Sequence, residues 1–425
     1  MHRAVRIILF LGLVPLSVLA SRVSLTGFEG GLAPCSSTSG TLSVNTTTKN
    51  TGRNAMRTNP STTAVGFCRL GSYAINTGLE TGFKGTDGVA TAYYKFYFRV
   101  ATLPAAKGEE IFEAKAISGT TLKGYVLIDS AGNIGLYDSV NTQEGATSST
   151  ALSTGTWYRI EIKIGTAAAG AGAGEVKING VSEITTTTGT FTTSNNTFAD
   201  YGKVTNRGNQ SVDFYYDDIA VDDVDYPGAS VVKSMSPNAN GSVMQWNPTG
   251  CSGLSYEMVD EYAPVTTCYA LSTAQNDVAL FDFETTASTS ISGTINGFIT
   301  PQQGRENVAG NSSYILRISD GTAKSTTGVD PGSAGDLGML STTTPDGGGA
   351  WTTADLDDVE AGAVDADGAP ILRIEWIMIE VDYTPSVGGG DNKQSEDLED
   401  GWFMLFDFVD WLMPDFSIIK NLLYA

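Results

Sequence analysis

Apolar residues recur with a period of two along most of the stretch from residue 24 to residue 385. A period of two places successive side chains on opposite faces of an extended strand, whereas an amphipathic helix needs a period of 3.6. Glycine, serine and asparagine, which are common in turns, and threonine, which favours strands, are abundant in the same stretch. The sequence therefore predicts an all-β protein of short strands and turns, with little helix.

Three segments show the alternation most clearly. In the segment 93–100 the inward set is Tyr94, Phe96, Phe98 and Val100, and the outward set is Tyr93, Lys95, Tyr97 and Arg99. In the segment 157–164, Tyr158 and three isoleucines alternate with charged residues, and the segment 371–383 alternates as well. We predict that the first two are half-buried antiparallel strands. Their apolar sets belong to the core.

Two local signals predict turns of a defined kind. Asn179-Gly180 follows a strand pattern, and both residue types tolerate the positive φ of a tight hairpin turn. The segment from Trp351 to Leu356 predicts a single helical turn, with Thr352 or Thr353 as the N-cap.

The first twenty residues have the composition of a secretory signal peptide. Arg3 and Arg6 precede an apolar run from Ile7 to Leu19, and small residues end the segment at Ala20. We expect a mature chain that starts at Ser21 and is secreted, with the virion as the alternative location. An uncleaved membrane anchor and a mis-assigned start codon are the other interpretations of this segment.

Four cysteines lie in two local pairs, namely Cys35 with Cys68 and Cys251 with Cys268. An even number of cysteines, paired by region in an exported chain, predicts one disulfide in each half. Four buried free thiols are the alternative. A zinc site is not expected, because the sequence has no Cys-x-x-Cys spacing and its one histidine is His2.

Charge divides the chain into two predicted domains. Residues 21–228 carry a net charge of −3, whereas residues 229–425 carry −21. About 400 residues also exceed what one core usually organises. We predict a first domain over 21–228 and a smaller second β-sandwich over 229–385. The acidity of the chain and the absence of a basic stripe argue against nucleic-acid binding.

The C-terminal segment has a different composition. Residues 386–394 are rich in glycine and predict a linker, and residues 395–425 are acidic at first and then aromatic and aliphatic. We expect an amphipathic helical tail that docks on its own domain. Self-association or a protein partner is the second interpretation, and membrane contact is a third, which the negative charge opposes.

Several pieces of the first domain, taken in order, resemble the laminin-G-like branch of the concanavalin A-like lectin and glucanase superfamily. They are Gly27-Phe28-Glu29-Gly30, the segment Gly155 to Ile162, the segment Val176 to Val181, and Phe214 to Val221. This resemblance implies a jelly-roll β-sandwich. The segments 236–242, 259–261 and 345–356 resemble parts of bacteriophage and viral structural proteins.

The resemblance also implies a structural calcium ion. In related modules the Phe-Glu near the first strand approaches an Asp of the closing strand, and Glu29 and Asp217 or Asp218 match these positions. Carboxylate oxygens are the ligands that calcium prefers. Adjacent residues of a strand point to opposite faces, so only one of the two aspartates is expected to meet Glu29. Solvated acids that protect a sheet edge are the alternative.

Sugar binding is the leading functional prediction, and we expect a glycan or polysaccharide partner. Sugar sites combine exposed aromatic rings with polar groups, and the predicted site consists of Tyr93, Lys95, Tyr97, Arg99 and Trp157. We expect no stable membrane insertion. The predicted function is therefore a non-catalytic, lectin-like or adhesion protein.

Two other function classes bear on this sequence, namely an enzyme and a structural protein. Without a histidine in the mature chain, Ser-His-Asp and Cys-His chemistry is excluded. A glycoside hydrolase needs only two carboxyl groups, but the acids around Glu257, Asp260 and Glu261 differ in spacing from the Glu-x-Asp-x-x-Glu of glucanases in this superfamily. A virion or surface structural protein is the main alternative. The sequence thus predicts no enzyme.

Overall fold

The computed structural model describes residues 22–32, 35, 37–71, 88–116, 121–166, 171–261, 266–306, 317–319, 323–325, 335–337, 340–341, 350–365 and 372–386. The predicted leader over 1–20, most of the predicted linker, and the predicted helical tail over 395–425 lie outside these residues. The described residues up to Thr384 belong to one compact unit.

Fifteen strands of the described residues precede residue 223. They are β1 (Arg22–Thr26), β2 (Ser37–Gly40), β3 (Leu42–Asn45), β4 (Ala55–Thr58), β5 (Gly66–Leu70), β6 (Thr91–Thr102), β7 (Glu109–Ala116), β8 (Thr121–Ile128), β9 (Ile134–Asp138), β10 (Gln143–Glu144), β11 (Trp157–Gly165), β12 (Gly172–Ile178), β13 (Val181–Gly189), β14 (Phe198–Lys203) and β15 (Asp213–Asp222). They form two antiparallel sheets. The eight-stranded sheet has the order β13-β12-β11-β6-β15-β4-β3, with β1 paired to β15, and the seven-stranded sheet has the order β10-β9-β8-β7-β14-β5-β2.

After residue 230, the described part of the chain contains fourteen further strands. They are β16 (Val231–Met235), β17 (Pro237–Met244), β18 (Asn247–Thr249), β19 (Tyr269–Leu271), β20 (Val278–Phe283), β21 (Gly293–Ile299), β22 (Gln302–Glu306), β23 (Arg317–Ser319), β24 (Ala323–Ser325), β25 (Gly335–Leu337), β26 (Leu340–Ser341), β27 (Glu360–Val364), β28 (Leu372–Ile377) and β29 (Ile379–Pro385). They form three sheets, with the orders β16-β29-β21-β26, β17-β20-β27-β23-β24 and β18-β19-β28-β22-β25. The predicted all-β sandwich fold is confirmed.

Aromatic rings from both sheets of the first sandwich meet in its core. Phe96 of β6 lies 6.0 Å from Phe112 of β7, 5.4 Å from Tyr201 of β14 and 5.6 Å from Tyr216 of β15, measured between ring centroids. All four side chains are fully buried. Each buried aromatic ring stabilises the fold by about 1.5–3 kcal/mol relative to an exposed one. The inward set predicted for the segment 93–100 is confirmed.

Local signals also gave the correct turns. Asn179 and Gly180 have φ angles of 51° and 84° and connect β12 to β13. The helix α1 (Thr353–Asp357) starts with a capping box, in which the backbone N–H of Asp355 donates to Oγ1 of Thr352 at 3.1 Å, and the backbone N–H of Thr352 donates to the Asp355 carboxylate at 3.0 Å. Thr352 is thus the N-cap.

Two disulfides, Cys35–Cys68 and Cys251–Cys268, confirm the predicted pairing. Disulfides of this kind are typical of proteins that fold in an oxidising compartment. In the part of the chain that the structure describes, no helix is long and apolar enough to cross a membrane.

Candidate functional site

The second half of the chain covers much of the face that the sequence predicts for sugar binding. Tyr97 is 8% exposed and packs in the same apolar cluster as Val231 and Ile379. Lys95 is fully buried, and its ammonium group donates to the carbonyl of Ser230 at 2.7 Å. Protein contacts, and not a ligand, therefore cover the ring of Tyr97 and accept the hydrogen bond of the Lys95 ammonium group.

The other predicted sugar-site residues are dispersed around this contact. Trp157 packs at the margin of the same apolar cluster. The guanidinium of Arg99 donates to the carbonyl of Gly155 at 3.0 Å, and Tyr93 lies 5.0 Å from the ring of Tyr226. The structure therefore does not bring Tyr93, Lys95, Tyr97, Arg99 and Trp157 together on one open platform.

Ionic contacts link the two halves of the chain at the start of β1. The Arg22 guanidinium donates to Asp222 at 2.8 Å and to Asp382 at 2.7 Å, and all three side chains are at most 1% exposed. The carboxylate of Glu380 accepts the backbone N–H groups of Gly27 and Glu29, at 3.1 and 3.0 Å. We call this region, where β1, β15 and β29 meet, the junction.

The predicted calcium ligands lie at the junction, and the backbone of β15 is irregular there. The register of β15 against β6 shifts between Asp217 and Ala220, and Asp218 has a φ of 50°. Because of this bulge the alternation rule fails, and both aspartates approach the loop between β3 and β4. The Asp217 carboxylate accepts the backbone N–H of Asn50 at 2.7 Å, and the Asp218 carboxylate accepts the hydroxyl of Thr51 at 2.6 Å. Both aspartates therefore hydrogen-bond to this loop, and the expectation that only one of them meets Glu29 directly stays a prediction.

Burial and mutual repulsion change the acidity of these groups. Burial, together with the charges of Glu380 and Asp218, raises the pKa of Glu29 to about 8, although the backbone N–H of Arg53 opposes the rise. Burial, together with Asp218 and Glu29, raises the pKa of Asp217. The carboxylate of Glu29 accepts the Arg53 N–H at 2.9 Å, so the acids are hydrogen-bonded to the protein. Among the described residues, no group of three or more His, Cys, Asp or Glu side chains is arranged to hold a metal ion.

A second cluster of charged and aromatic side chains lies on the outer face of the seven-stranded sheet. Antiparallel pairing sets five residues of five strands side by side, and we call them the charged row: Arg69, Asp200, Glu113, Tyr125 and Tyr137. Their strand neighbours, such as Leu70, Ala114 and Val126, point into the core. The row therefore faces away from the core of the sandwich.

Buried carboxylates hold partly exposed cations along this row. Arg69 donates twice to Asp200, from Nε to Oδ1 and from Nη2 to Oδ2, each at 2.7 Å. The Asp200 side chain is fully buried, whereas the Arg69 side chain is 21% exposed. Lys115, 12% exposed, contacts Glu113, which is 1% exposed. The acids orient the cationic groups, and it is the cations that solvent or a ligand can reach.

Glu113 is the member of the row with a pKa near neutrality. Burial raises the pKa of Glu113 to about 7, the neighbouring Glu110 adds to the rise, and Lys115 opposes it. Asp200, beside it in the sheet, also has a raised pKa, because burial outweighs the attraction of Arg69. A group with a pKa near 7 can take up and release a proton under physiological conditions.

Aromatic rings flank the cations on both sides. The rings of Tyr125 and Tyr137 stack with their centroids 5.0 Å apart and their planes at 6°. On the other side of the row, the Arg69 guanidinium lies 6.0 Å from the ring of Phe67 and 5.9 Å from the ring of Phe198. Aromatic rings beside fixed polar groups are the usual components of a site that holds sugar rings.

Sequence reasoning missed the charged row. The alternation in the segment 109–116 places Glu113 and Lys115 on the outward side, which was a usable signal. Their neighbours across the sheet, Asp200 and Arg69, come from strands far away in the sequence. The order of the strands in the sheet brings these residues together, and no local sequence pattern predicts that order.

The comparisons with known proteins concern the fold. No protein-family model and no curated protein sequence matches the chain. Similar solved structures include an endo-β-1,4-glucuronan lyase from the fungus Trichoderma reesei, with 15% identity, a TM-score of 0.32 and coverage of 43% of this chain and 86% of that one. The alginate lyase Aly36B has 14% identity, a TM-score of 0.29 and coverage of 40% and 82%. Domain 4 of the arabinanase AbnA from Geobacillus stearothermophilus, solved with arabinotriose, has 14% identity, a TM-score of 0.32 and coverage of 48% and 93%.

These comparisons correct the functional predictions. The prediction of a non-catalytic, lectin-like or adhesion protein is wrong as it stands, because the similar structures include two polysaccharide lyases and a domain of an arabinanase. The prediction that the chain is not an enzyme is overturned by the same finding. At TM-scores near 0.3 no activity is transferred from them to this chain.

Proposed function

We propose that the outer face of the seven-stranded sheet binds an acidic polysaccharide and that the chain cleaves it by β-elimination. The observation that carries this proposal is the arrangement of the charged row, in which buried acids hold the partly exposed cations of Arg69 and Lys115 beside aromatic rings. A guanidinium fixed in this way presents its positive charge to the carboxylate of a uronate residue. The rings provide surfaces for the sugar.

The reaction class follows from the state of the acids. In β-elimination a base removes the proton from the carbon next to the uronate carboxylate, a double bond forms to the neighbouring carbon, and the glycosidic oxygen leaves that carbon and takes up a proton. The reaction therefore needs a cation that neutralises the carboxylate and a group that accepts one proton and delivers one near neutral pH. Arg69 provides the first. The contact pair of Lys115 and Glu113 provides the second. Lys115 is the member of the pair that a ligand can reach, and the buried Glu113, whose pKa is raised to about 7, exchanges the proton with it.

Replacing Arg69 with alanine tests the binding site. Hydrogen bonds to charged groups contribute about 1.5–3 kcal/mol, so the Kd for an acidic polysaccharide should rise by about 10- to 100-fold. Titration calorimetry with alginate, polygalacturonate and glucuronan, and with a neutral glucan, measures the binding. The ultraviolet absorbance of the unsaturated product measures elimination. The neutral glucan should bind weakly both to the wild type and to Arg69→Ala.

Arg57 offers a matched control for Arg69. It donates twice to Asp213 at 2.9 and 2.8 Å, in the same geometry, but it lies on the eight-stranded sheet. Arg57→Ala should therefore leave binding and cleavage unchanged. An equal loss in both variants, or no binding of any acidic polysaccharide by the wild type, would contradict the proposed site. Binding without an unsaturated product would keep the site and overturn the elimination.

We also propose that the junction takes up calcium, as the sequence resemblance implies. The support is the mutual charge interaction of Glu29, Asp217 and Asp218, whose oxygen atoms are of the type that calcium prefers. Because these carboxylates are not arranged as a metal site in the structure, calcium binding would require the aspartates to give up hydrogen bonds to the loop between β3 and β4. Millimolar calcium should then raise the melting temperature relative to a chelator, and Asp217→Asn should abolish the difference. Equal melting temperatures with calcium and with chelator in the wild type would exclude the calcium site.

We further propose that the chain is exported, since its two disulfides need an oxidising compartment. We keep the laminin-G-like branch as the proposed family of the first sandwich.

A further inference from the structure

The segment from Val204 to Gln210 crosses the outer face of the seven-stranded sheet as a strap. At its start, the backbone N–H and the hydroxyl of Thr205 donate to the Glu110 carboxylate at 2.8 and 2.6 Å. At its end, the backbone N–H of Gln210 donates to Glu109 at 2.7 Å, and Lys203 donates to the carbonyl of Gln210 at 2.7 Å. Glu109, Glu110 and Lys203 are fully buried. The strap is therefore fixed at both ends by buried ionic groups.

Arg207, at the middle of the strap, is not a member of the charged row but lies over it, against the ring of Tyr125. Its guanidinium carbon is 3.9 Å from the centre of the Tyr125 ring, its Nε contacts Glu110, and its Nη1 donates to Asn141 at 2.8 Å. Asn141 also accepts the hydroxyl of Tyr125 at 3.3 Å. As a result Tyr125 is only 2% exposed, although it stands in the row between Glu113 and Tyr137.

The two ends of the charged row thus differ. At the Arg69 end, the cation and the rings of Phe67 and Phe198 remain partly exposed. Towards the other end, Arg207 and Asn141 cover Tyr125, and Tyr137 beyond it is partly exposed. A polysaccharide that runs along the row from Arg69 would meet the guanidinium of Arg207 before it could reach the Tyr125 ring.

We infer that the site is closed at Tyr125 and that it takes the end of an acidic chain, with the terminal uronate against Arg207. This inference rests on the proposed function, since it needs an acidic polysaccharide on the charged row. It deepens that function by assigning end-on binding, and therefore release of short products from one end of the polymer. Arg207 is the residue that determines this mode.

The test is the number of protein molecules bound per sugar chain. The protein with Glu113→Gln is titrated with a short and a several-fold longer preparation of polygalacturonate, so that no cleavage changes the chains during the measurement. Sedimentation velocity counts the bound molecules. End-on binding gives one protein molecule per chain at both lengths. Adding Arg207→Ala uncovers Tyr125, and the number bound should then rise with chain length.

The outcomes separate the two proposals. A number that already rises with length when Arg207 is present would overturn end-on binding and leave the proposed function intact. No binding to either preparation would overturn both. Arg207→Lys, which keeps a cation beside Glu110 but is too compact to cover the Tyr125 ring, serves as the second variant if Arg207→Ala fails to fold. It should also give length-dependent binding, and length-independent binding by this folded variant would contradict the role of Arg207.

Discussion

Replacing Arg22 with methionine should lower the free energy of unfolding by about 3–5 kcal/mol, as expected when one partner of a buried ionic pair is removed. The Arg22 side chain is 1% exposed and neutralises two fully buried carboxylates, Asp222 of β15 and Asp382 of β29. Without it both acids lose their nearest cation in a region from which water is excluded. Urea unfolding of the two proteins at one pH measures the difference.

Two further variants serve as controls in the Arg22 experiment. Arg57→Met removes an equally well-formed pair with Asp213, but these side chains are 32% and 18% exposed, so the loss should be about 0–1 kcal/mol. Adding Asp222→Asn and Asp382→Asn to Arg22→Met removes the uncompensated charges and should restore much of the stability. If Arg22→Met and Arg57→Met were equally stable, the junction would not depend on this ionic contact.

The strand β6 shows how far the sequence could predict this fold. Alternation identified Tyr94, Phe96, Phe98 and Val100 as core residues, because one buried face is a property of the strand itself. The opposite face depends on a different part of the chain. Tyr97 is buried by residues of β16 and β29, which lie more than 130 positions away in the sequence. No pattern in the segment 93–100 predicts that contact.

The two candidate sites failed to emerge from the sequence for different reasons. At the junction, the register shift of β15 and the left-handed conformation of Asp218 reversed the expected direction of a side chain. A positive φ at a residue other than glycine is uncommon and has no sequence signature here. In the charged row, each residue sits at an ordinary outward position, and only the strand order turns Arg69, Asp200 and Glu113 into neighbours. The hydrophobic period and the choice of turn residues can be read from a short segment of sequence. Both sites depend instead on strand order and register, which involve segments far apart in the sequence.

The pH dependence of stability should change when Glu113 is replaced with glutamine. The pKa of Glu113 is raised from the ordinary 4.5 to about 7 in the folded chain, first by burial and then by Glu110. Between these two values the folded state binds more protons than the unfolded state, so the contribution of Glu113 to the free energy of unfolding falls as pH rises. A shift of this size corresponds to at most about 3 kcal/mol. As pH rises from 5 to about 8, the free energy of unfolding of Glu113→Gln should therefore increase relative to that of the wild type.

Glu183 supplies a control with the opposite sign. The hydroxyls of Thr150 and Ser149 and their backbone N–H groups lower the pKa of Glu183, so its contribution is present above its ordinary pKa and is lost as pH falls. Because Glu183 is partly exposed, solvent screens its charge, and the change on Glu183→Gln should be small and opposite in direction. Other buried acids, such as Glu29 and Glu380, also have raised pKa values and affect every variant alike, so the difference between variants isolates Glu113. A difference between wild type and Glu113→Gln that stays constant from pH 5 to 8 would show that Glu113 does not titrate in this range, and the charged row would then lack the proton acceptor that the proposed elimination requires.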